Sequence, residues 1–293
     1  MAWNKGPIVW EENNALCISV VFTWDLPVAR GIILSNPNRQ CIVGGPAVRL
    51  LPRYLDNMAN IETIVPSIKP MYRYNREASR TTLGCPNSCN FCGVRRIEGE
   101  YKELDDWEPQ PILCDSNFLA CSDSHFNKVI DKLKVANFPS VDFNQALEAK
   151  LLIRKRARRL SEINITPRFS WDRNEEESYV FNALSLMEEV GIKRSKIKAI
   201  YSIVGYNETP SEALYRMEAL RSRGYLGFAM RYQPLDSLKK NSYDPPQWGT
   251  QELKDFCRYW NKQRWFGGIT YDEYRSRVNA KEQLSLFSGD TNG

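Results

Sequence analysis

The hydrophobic and polar positions of the chain follow two alternating periods, one typical of strands and one typical of helices. Short apolar or β-branched runs predict strands at 78–83, 111–118, 140–144, 165–171, 198–204 and 226–232. Apolar residues at helical spacing predict helices from Ser122 or Asp123 to about 135, and at 146–160, 175–190 and 210–222. Strand–helix units in such a series predict an α/β fold with a parallel sheet and helices outside it.

A smaller strand–helix–strand unit precedes this series. The pattern predicts strands at 17–22 and 40–46 with a helix at 27–34 between them. The second strand ends in Gly44-Gly45-Pro46, which fits a tight turn. A glycine pair can also cradle a phosphate, but one pair is weak support for that alternative.

Composition sets the class of protein. The chain has 293 residues, enough for one large domain or two smaller ones, and its 42% apolar and 26% charged residues are ordinary for a globular protein.

No stretch approaches the about 20 apolar residues of a membrane span. The apolar run 15–22 is short and follows Glu11 and Glu12, which argues against a signal peptide. Eight cysteines in such a chain indicate a reducing compartment, so we expect a cytoplasmic protein. The net charge of +5 permits a polyanionic partner without requiring one.

Three cysteines, Cys85, Cys89 and Cys92, stand within one short segment. Their spacing suits neither one helix face nor one strand face, so it predicts a loop folded around a bound group. Thiolates this close repel one another unless a metal neutralises them, which suggests zinc or an iron–sulfur cluster. A structural zinc site needs a fourth ligand nearby, whereas the next cysteine is Cys114 and the single histidine is His125. A loop with three ligands suits a four-iron cluster with one open iron. A zinc knuckle or unliganded thiols are the alternatives.

The three cysteines, with Phe91 just before the third, resemble the signature of the radical S-adenosylmethionine (SAM) superfamily. The resemblance implies a 4Fe-4S cluster on Cys85, Cys89 and Cys92, with SAM chelating the open iron and Phe91 near the adenine. It also implies an electron donor such as flavodoxin or ferredoxin, and cleavage of SAM to methionine and a 5′-deoxyadenosyl radical. The implied fold is a partial, six-unit β/α barrel with a small N-terminal strand–helix–strand extension.

The N-terminal unit resembles the start of the cobalamin-binding domain that precedes many radical SAM domains, where a strand also ends in Gly-Gly-Pro. Residues 1–75 are too few for such a domain and lack a loop with a histidine ligand for cobalt. We therefore expect a reduced remnant that does not bind cobalamin. The predicted domains are 1–75 for this unit, 76–245 for the barrel, 246–280 for a C-terminal helical extension and 281–293 for a flexible tail.

Polar residues at the predicted strand ends are candidates for SAM binding, because sites in parallel α/β folds lie at the carboxyl ends of strands. Asp115 and Asn117 follow the second strand, at a place where the family binds the SAM amino group. Arg168, Ser170 and Asp172 alternate along the fourth strand and so should share one face. In the family, polar groups of that strand contact the SAM ribose and carboxylate.

The fifth strand runs from Tyr201 to Glu208 and is similar to the family pattern Gly-x-Ile-x-Gly-x-x-Glu, except that Tyr201 replaces the first glycine. The likeness implies that the backbone at Gly205 approaches the adenine. We expect Glu208 to cap the following helix. Tyr232 of the sixth strand completes the cofactor candidates.

The remaining cysteines and the histidine have simpler interpretations. Cys17 and Cys41 fall in apolar strands and Cys257 on the apolar face of a C-terminal helix, so all three are expected in cores. Cys114 and Cys121 could serve a second cluster, but two ligands are too few and none is expected. His125 is expected at the surface.

Two features bear on the substrate. The predicted helix 146–160 is strongly basic, which fits a solvated outer face or, alternatively, a phosphate-binding face. The tail segment 283–287 resembles the peptide by which DNA polymerases and repair enzymes bind the sliding clamp. In that motif the glutamine and the apolar end fill pockets, which here implies Gln283, Leu284, Leu286 and Phe287. The alternative is a C-terminal strand or turn packed on the barrel.

Three functions remain open. The first is radical SAM chemistry for DNA modification or repair, suggested by the tail and the basic helix. The second is the same chemistry on a small molecule or peptide. The third is a metal-binding module of replication without catalysis, against which the candidate SAM residues of strands four and five argue.

Overall fold

The structure is a computed structural model and describes residues 5–61, 68–262 and 268–278. The chain divides into two compact units, each described by itself. The first comprises Met1–Ser170, Ser178–Lys198 and Gln233–Tyr243, and the second Trp171–Glu177, Ala199–Tyr232 and Asp244–Gly293. The four domains expected from the sequence stay predictions.

The secondary structure alternates between short strands and helices. The strands are β1 (Ile8–Glu12), β2 (Ala15–Ser19), β3 (Cys41–Gly44), β4 (Asn60–Ile61), β5 (Ala78–Ser79), β6 (Thr82–Leu83), β7 (Lys102–Glu103), β8 (Ile112–Leu113), β9 (Val141–Phe143), β10 (Ile165–Thr166), β11 (Phe169–Ser170), β12 (Ile200–Val204) and β13 (Gly227–Arg231). The α-helices are α1 (Leu26–Leu34), α2 (Pro46–Leu50), α3 (Ile68–Tyr74), α4 (Val94–Glu98), α5 (Asp123–Ala136), α6 (Arg154–Leu160), α7 (Glu177–Glu189), α8 (Pro210–Ser222) and α9 (Thr250–Asn261).

The first unit begins with a small sheet in the order β1-β2-β3-β4. The β1–β2 pair is antiparallel, while β2–β3 and β3–β4 are parallel. The predicted strand, helix and strand of this region are present as β2, α1 and β3, and the residues of β2 are buried throughout. Cys17 and Cys41 are both buried, as expected for core residues.

The Gly-Gly-Pro segment forms a tight turn between β3 and α2. Gly45 has a φ of 103°, and a Cβ there would lie 2.5 Å from the carbonyl oxygen of Val20. The turn therefore closes against the chain's own backbone, which supports the tight-turn interpretation over a phosphate cradle.

A second, fully parallel sheet of the first unit has the order β10-β9-β8-β5. This confirms an α/β fold with parallel strands. The strand predicted at 78–83 is wrong in one respect, because it is split: β5 joins the parallel sheet, whereas β6 pairs antiparallel with β7. The strand predicted at 165–171 is likewise divided into β10 and β11, with Pro167 between them, because proline has no N–H to donate to a ladder.

The predicted helices are confirmed at α5, α7 and α8, but the helix predicted at 146–160 is much shorter. Leu147 forms a parallel bridge with Phe169, which holds its backbone extended. A 3₁₀ turn at Ala149–Leu151 follows, and α6 begins only at Arg154. Ser122 caps α5 by accepting the N–H of His125 at 3.1 Å.

The second unit contains the parallel pair β12–β13 with α8 and α9. Its buried cluster is rich in aromatic residues, including Trp248, Phe256, Tyr259 and Trp260. Cys257 of α9 is half-buried, less than the core position expected for it. No helix within the described ranges is long and apolar enough to cross a membrane.

Candidate functional site

The three predicted metal-binding cysteines lie in a loop, residues 84–93, whose two ends are held by the antiparallel β6–β7 pair and by α4. Gly84 opens this cysteine loop with a φ of 74°, and a Cβ there would lie 2.7 Å from the carbonyl oxygen of Glu100. A side chain would be strained at this position and would also clash with the backbone. The absence of a side chain at Gly84 thus lets the backbone after β6 pass close to the backbone of Glu100.

Glu98, the last residue of α4, fastens the start of the cysteine loop. Its Oε2 accepts the N–H of Gly84 at 2.8 Å and the hydroxyl of Ser116 at 2.9 Å, and its Oε1 pairs with Arg80 at 2.6 Å. The Glu98 side chain is only 6% exposed, and the ion pair with Arg80 gives it a partner of opposite charge. The contact joins the residue before Cys85 to the helix after Cys92.

Asp115 lies at the carboxyl end of β8 and holds the break between β5 and β6. One oxygen, Oδ1, accepts the backbone N–H and the hydroxyl of Thr81 at 2.7 and 3.1 Å, and also those of Thr82. Burial raises the pKa of Asp115, and these donors oppose the shift. The other oxygen, Oδ2, is buried and has no hydrogen-bond partner in the described part of the chain. Contact of Asp115 with SAM stays a prediction, for which Oδ2 is the available acceptor.

The three thiols differ in exposure. Cys85 is partly buried, whereas Cys89 and Cys92 are exposed and joined by a turn in which the N–H of Cys92 donates to the carbonyl of Cys89 at 2.9 Å. Phe91, predicted to lie near an adenine, is partly buried in the same loop.

The donor set of the loop is three thiols, which is the ligand type of iron–sulfur clusters. In a four-iron cluster each thiolate binds its own iron. A loop with a partly buried Cys85 and exposed Cys89 and Cys92 is compatible with that arrangement.

A hydrogen-bonded group lies beside the first thiol. Asn117, which is 3% exposed, places its Nδ2 at 3.3 Å from the Cys85 Sγ and 2.6 Å from Glu148 Oε2. The same Glu148 oxygen accepts from Asn87 Nδ2 at 2.8 Å. The sequence indicated Asn117 as a site residue but gave no signal for Asn87 or Glu148, because their partners are distant along the chain.

The N-terminal sheet region contacts the helix that follows the cysteine loop. Arg49 of α2 donates to the carbonyl of Ile97 at 3.0 Å, and Arg96 of α4 donates to the carbonyl of Leu50 at 3.0 Å. These reciprocal bonds fix α2 against α4. The N-terminal region therefore supports the segment directly after Cys92.

Arg168 and Ser170 belong to the first unit. Arg168 donates from Nε and Nη2 to the two carboxylate oxygens of Asp142 at 2.9 and 2.5 Å, a bidentate pair. Lys198 also pairs with Asp142 at 3.3 Å. Arg168 is therefore engaged by a neighbouring strand, and its predicted contact with SAM stays a prediction, as does that of Ser170.

Asp172, Gly205 and Tyr232 belong to the second unit. Asp172 accepts the N–H of Ile203 at 2.8 Å, and burial raises its pKa to about 6. Gly205 has a φ of 85°, and a Cβ there would lie 2.9 Å from Pro245, so this glycine is required by the chain's own packing. The ring of Tyr232 packs on Tyr206 with centroids 4.7 Å apart.

Glu208 does not cap α8, and that expectation is wrong. Thr209 is the N-cap, in a reciprocal capping box with Glu212. Glu208 instead accepts the N–H of Gly205 at 2.9 Å and pairs with the buried Arg216 at 2.5 Å. Glu208, the last residue of the fifth-strand pattern, thus holds the loop that begins at Gly205.

The expectation of a surface position for His125 is also wrong, since it is 5% exposed. As the third residue of α5 it turns inward, with its Nδ1 3.8 Å from Glu103. Cys114 and Cys121 are buried, and burial raises their pKa values to about 11 and about 12. Both therefore behave as neutral core thiols at neutral pH.

The basic segment 146–160 is extensively paired with acids of the first unit. Arg156 donates to Asp123 and to backbone carbonyls, and Arg159 pairs with Asp131 and Glu162 at 2.5 and 2.6 Å. Lys155 and Arg154 pair with Asp123 and Glu189. These contacts support a structural outer face over a phosphate-binding face. The clamp-like residues Gln283, Leu284, Leu286 and Phe287 lie outside the described residues.

No protein-family model matches the sequence, and no curated protein matches it. Among solved structures, the fold is similar to that of the radical SAM methyltransferase TsrM from Kitasatospora setae with cobalamin and a [4Fe-4S] cluster bound. That match has a TM-score of 0.54 and 11% identity and covers 75% of this chain and 65% of the TsrM chain.

A second TsrM structure, with tryptophan substrate and the SAM analogue aza-SAM bound, gives a TM-score of 0.54 at 10% identity and covers 77% of this chain and 65% of that one. The aligned region therefore spans about two thirds of the TsrM chain. At this identity the likeness establishes that the two chains share a fold.

Proposed function

We propose that this protein is a radical SAM enzyme that holds a 4Fe-4S cluster on Cys85, Cys89 and Cys92. The observation that carries the proposal is the cysteine loop itself, which follows β6 of the antiparallel β6–β7 pair and whose start is fastened by Glu98 of α4. The fold shared with TsrM supports it. We further infer that the parallel strands make up the partial, six-unit barrel typical of that superfamily.

The chain's own residues have definable tasks in this function. Cys85, Cys89 and Cys92 would bind three irons and leave the fourth for SAM. When bound, such a cluster supplies the single electron that cleaves SAM, received from a donor such as flavodoxin or ferredoxin. Asp115 Oδ2 offers a buried acceptor, and the Asn117 amide donates toward Cys85. Holding these polar groups in a water-poor site is the protein's contribution to positioning.

Anaerobic reconstitution followed by iron, sulfide and 5′-deoxyadenosine assays tests the proposal. Cys85→Ala, Cys89→Ala and Cys92→Ala should each abolish the cluster absorbance and SAM cleavage. Cys257→Ser, at a half-buried cysteine of the second unit, is the matched control and should retain both. One equivalent of zinc with no sulfide in anaerobically purified protein would contradict the proposal.

The basic segment and the tail bear on the class of substrate. The paired basic segment favours a small molecule or peptide over DNA, since most of its charges are already engaged within the first unit. DNA modification or repair, with docking to a sliding clamp through the tail, remains a proposal that rests on the sequence of residues 283–287. Assaying 5′-deoxyadenosine formation with and without duplex DNA distinguishes the two substrate classes.

A further inference from the structure

The geometry points to Glu148 as a positioning residue that orients the Asn117 amide toward the Cys85 sulfur and ties the cysteine loop in place. This inference rests on the proposed function of the loop as the cluster site. Glu148 itself does not touch Cys85. It would act through two side-chain amides, that of the buried Asn117 and that of Asn87 within the loop.

The first step concerns the direction of the Asn117 amide. A carboxylate only accepts hydrogen bonds, so the Asn117 atom at 2.6 Å from Glu148 Oε2 must be the donor Nδ2. The same Nδ2 lies 3.3 Å from the Cys85 Sγ, so the second hydrogen of the NH₂ group can face the sulfur. With the amide reversed, Oδ1 would face both the carboxylate and the sulfur, and like partial charges would repel. Glu148 therefore selects the orientation in which an N–H faces the thiol.

The second step concerns the loop. Asn87 lies between Cys85 and Cys89, and its Nδ2 donates to the same Glu148 oxygen at 2.8 Å. One carboxylate oxygen thus accepts one hydrogen bond from the exposed Asn87 and one from the buried Asn117. The bond holds the first half of the loop at a fixed distance from Asn117.

The third step concerns rigidity. Glu148 follows Leu147, whose N–H donates to the carbonyl of Arg168 at 2.8 Å, and its own carbonyl accepts the N–H of Leu151 at 3.0 Å. Asn117 is buried, and its carbonyl accepts the N–H of Ala120 at 3.2 Å. Both residues are held by their backbones, so the pair can impose its geometry on the exposed Asn87 and on Cys85.

An N–H donated to a ligating sulfur stabilises the thiolate, and such hydrogen bonds are among the features that set cluster properties. Loss of Glu148 should therefore loosen the loop and alter the environment of the iron bound by Cys85. A hydrogen bond to a charged group contributes enough to change an equilibrium or rate by about tenfold. The effect should be absent where only an unrelated carboxylate is lost.

The experiment compares Glu148→Ala and Glu148→Gln with Glu189→Ala, which removes a carboxylate that pairs with Arg154. In metal-free full-length protein, hydrogen exchange of peptides covering 84–93 should speed up about tenfold in Glu148→Ala. After reconstitution, iron loss to a chelator should accelerate by a similar factor, and the electron paramagnetic resonance spectrum of the reduced cluster should shift. Glu148→Gln keeps an acceptor oxygen and should largely restore all three readouts, while Glu189→Ala should match the wild type.

A combined variant adds a test of mechanism. If Glu148 acts through Asn117 and Asn87, adding Glu148→Ala to the Asn87→Ala and Asn117→Ala double variant should not speed iron loss further. Additive effects, or Glu148→Ala behaving like Glu189→Ala, would overturn the inference while a wild-type cluster upholds the proposed function. If the wild type binds no cluster, the proposed function fails, and hydrogen exchange in the metal-free protein still decides whether Glu148 positions the loop.

Discussion

Asp172 provides a quantitative test of the second unit, because burial raises its pKa from 3.8 to about 6. In the unfolded chain the carboxyl group returns to its ordinary value, so between pH 4 and pH 6 the folded protein binds more protons than the unfolded one. The contribution of Asp172 to the free energy of unfolding is therefore largest below about pH 4 and decreases as the pH rises through 6. A shift of about two units corresponds to about 3 kcal/mol. Because Asp172 keeps some exposure, we take this as an upper bound.

Replacing Asp172 by Asn should remove this pH dependence and preserve the acceptor for the Ile203 N–H. We expect Asp172→Asn to be more stable than the wild type at pH 7, by about 1 to 3 kcal/mol, with the difference vanishing near pH 4. Chemical denaturation of the metal-free protein from pH 4 to pH 7.5 measures it, with Asp236→Asn at an exposed carboxyl group as the control. A difference in unfolding free energy that does not change with pH would refute the reasoning. A gain in stability accompanied by weaker SAM binding would instead support the predicted cofactor role.

Three further predictions concern the loop, the tail and the N-terminal unit. Gly84→Ala should destabilise the cysteine loop and reduce iron binding by about tenfold or more, because the new Cβ is both strained and in contact with the backbone. Gly99→Ala, at a φ of 80° but with open space around its Cβ, carries only the backbone strain and should reduce iron binding less. Equal iron contents would contradict the close-approach argument. Replacing Leu286 and Phe287 by Ala should abolish binding to a bacterial or phage sliding clamp in a pull-down and leave SAM cleavage intact; an unchanged interaction, or a lowered melting temperature alone, would contradict docking. The protein should not retain cobalamin, and stoichiometric cobalamin after gel filtration would show otherwise.

Sequence patterns predicted those elements whose signals are local. The helix predicted at 210–222 matches α8, whose first residue is a proline as the local signal for a helix start requires. The end of α7 follows from Gly191, which has a φ of 88°. By contrast, the helix predicted at 146–160 failed because a tertiary bridge between Leu147 and Phe169 overrides local helix propensity.

In the candidate site, too, features with a local sequence signal were predicted and features that depend on distant residues were not. The spacing of the three cysteines predicted a loop, and the structure has one. The contacts that fasten it join residues far apart in sequence, such as Asn87 to Glu148 and Thr82 to Asp115. Neither pairing has a signature that a single sequence can reveal. The prediction of a surface position for His125 was wrong for a related reason, because the burial of its side chain depends on how α5 packs.

The carboxylates around the cysteine loop pose an electrostatic problem, because thiolates close to acids would repel them. The structure resolves it differently at each position. Glu98 is paired with Arg80 at 2.6 Å, so its charge is offset by a cation where it contacts the loop. Glu148 is separated from Cys85 by the Asn117 amide, which donates one N–H toward each. Under the proposed function, Glu148 thus holds the amide donor that faces the Cys85 sulfur, and this accounts for a carboxylate at the border of a cluster site.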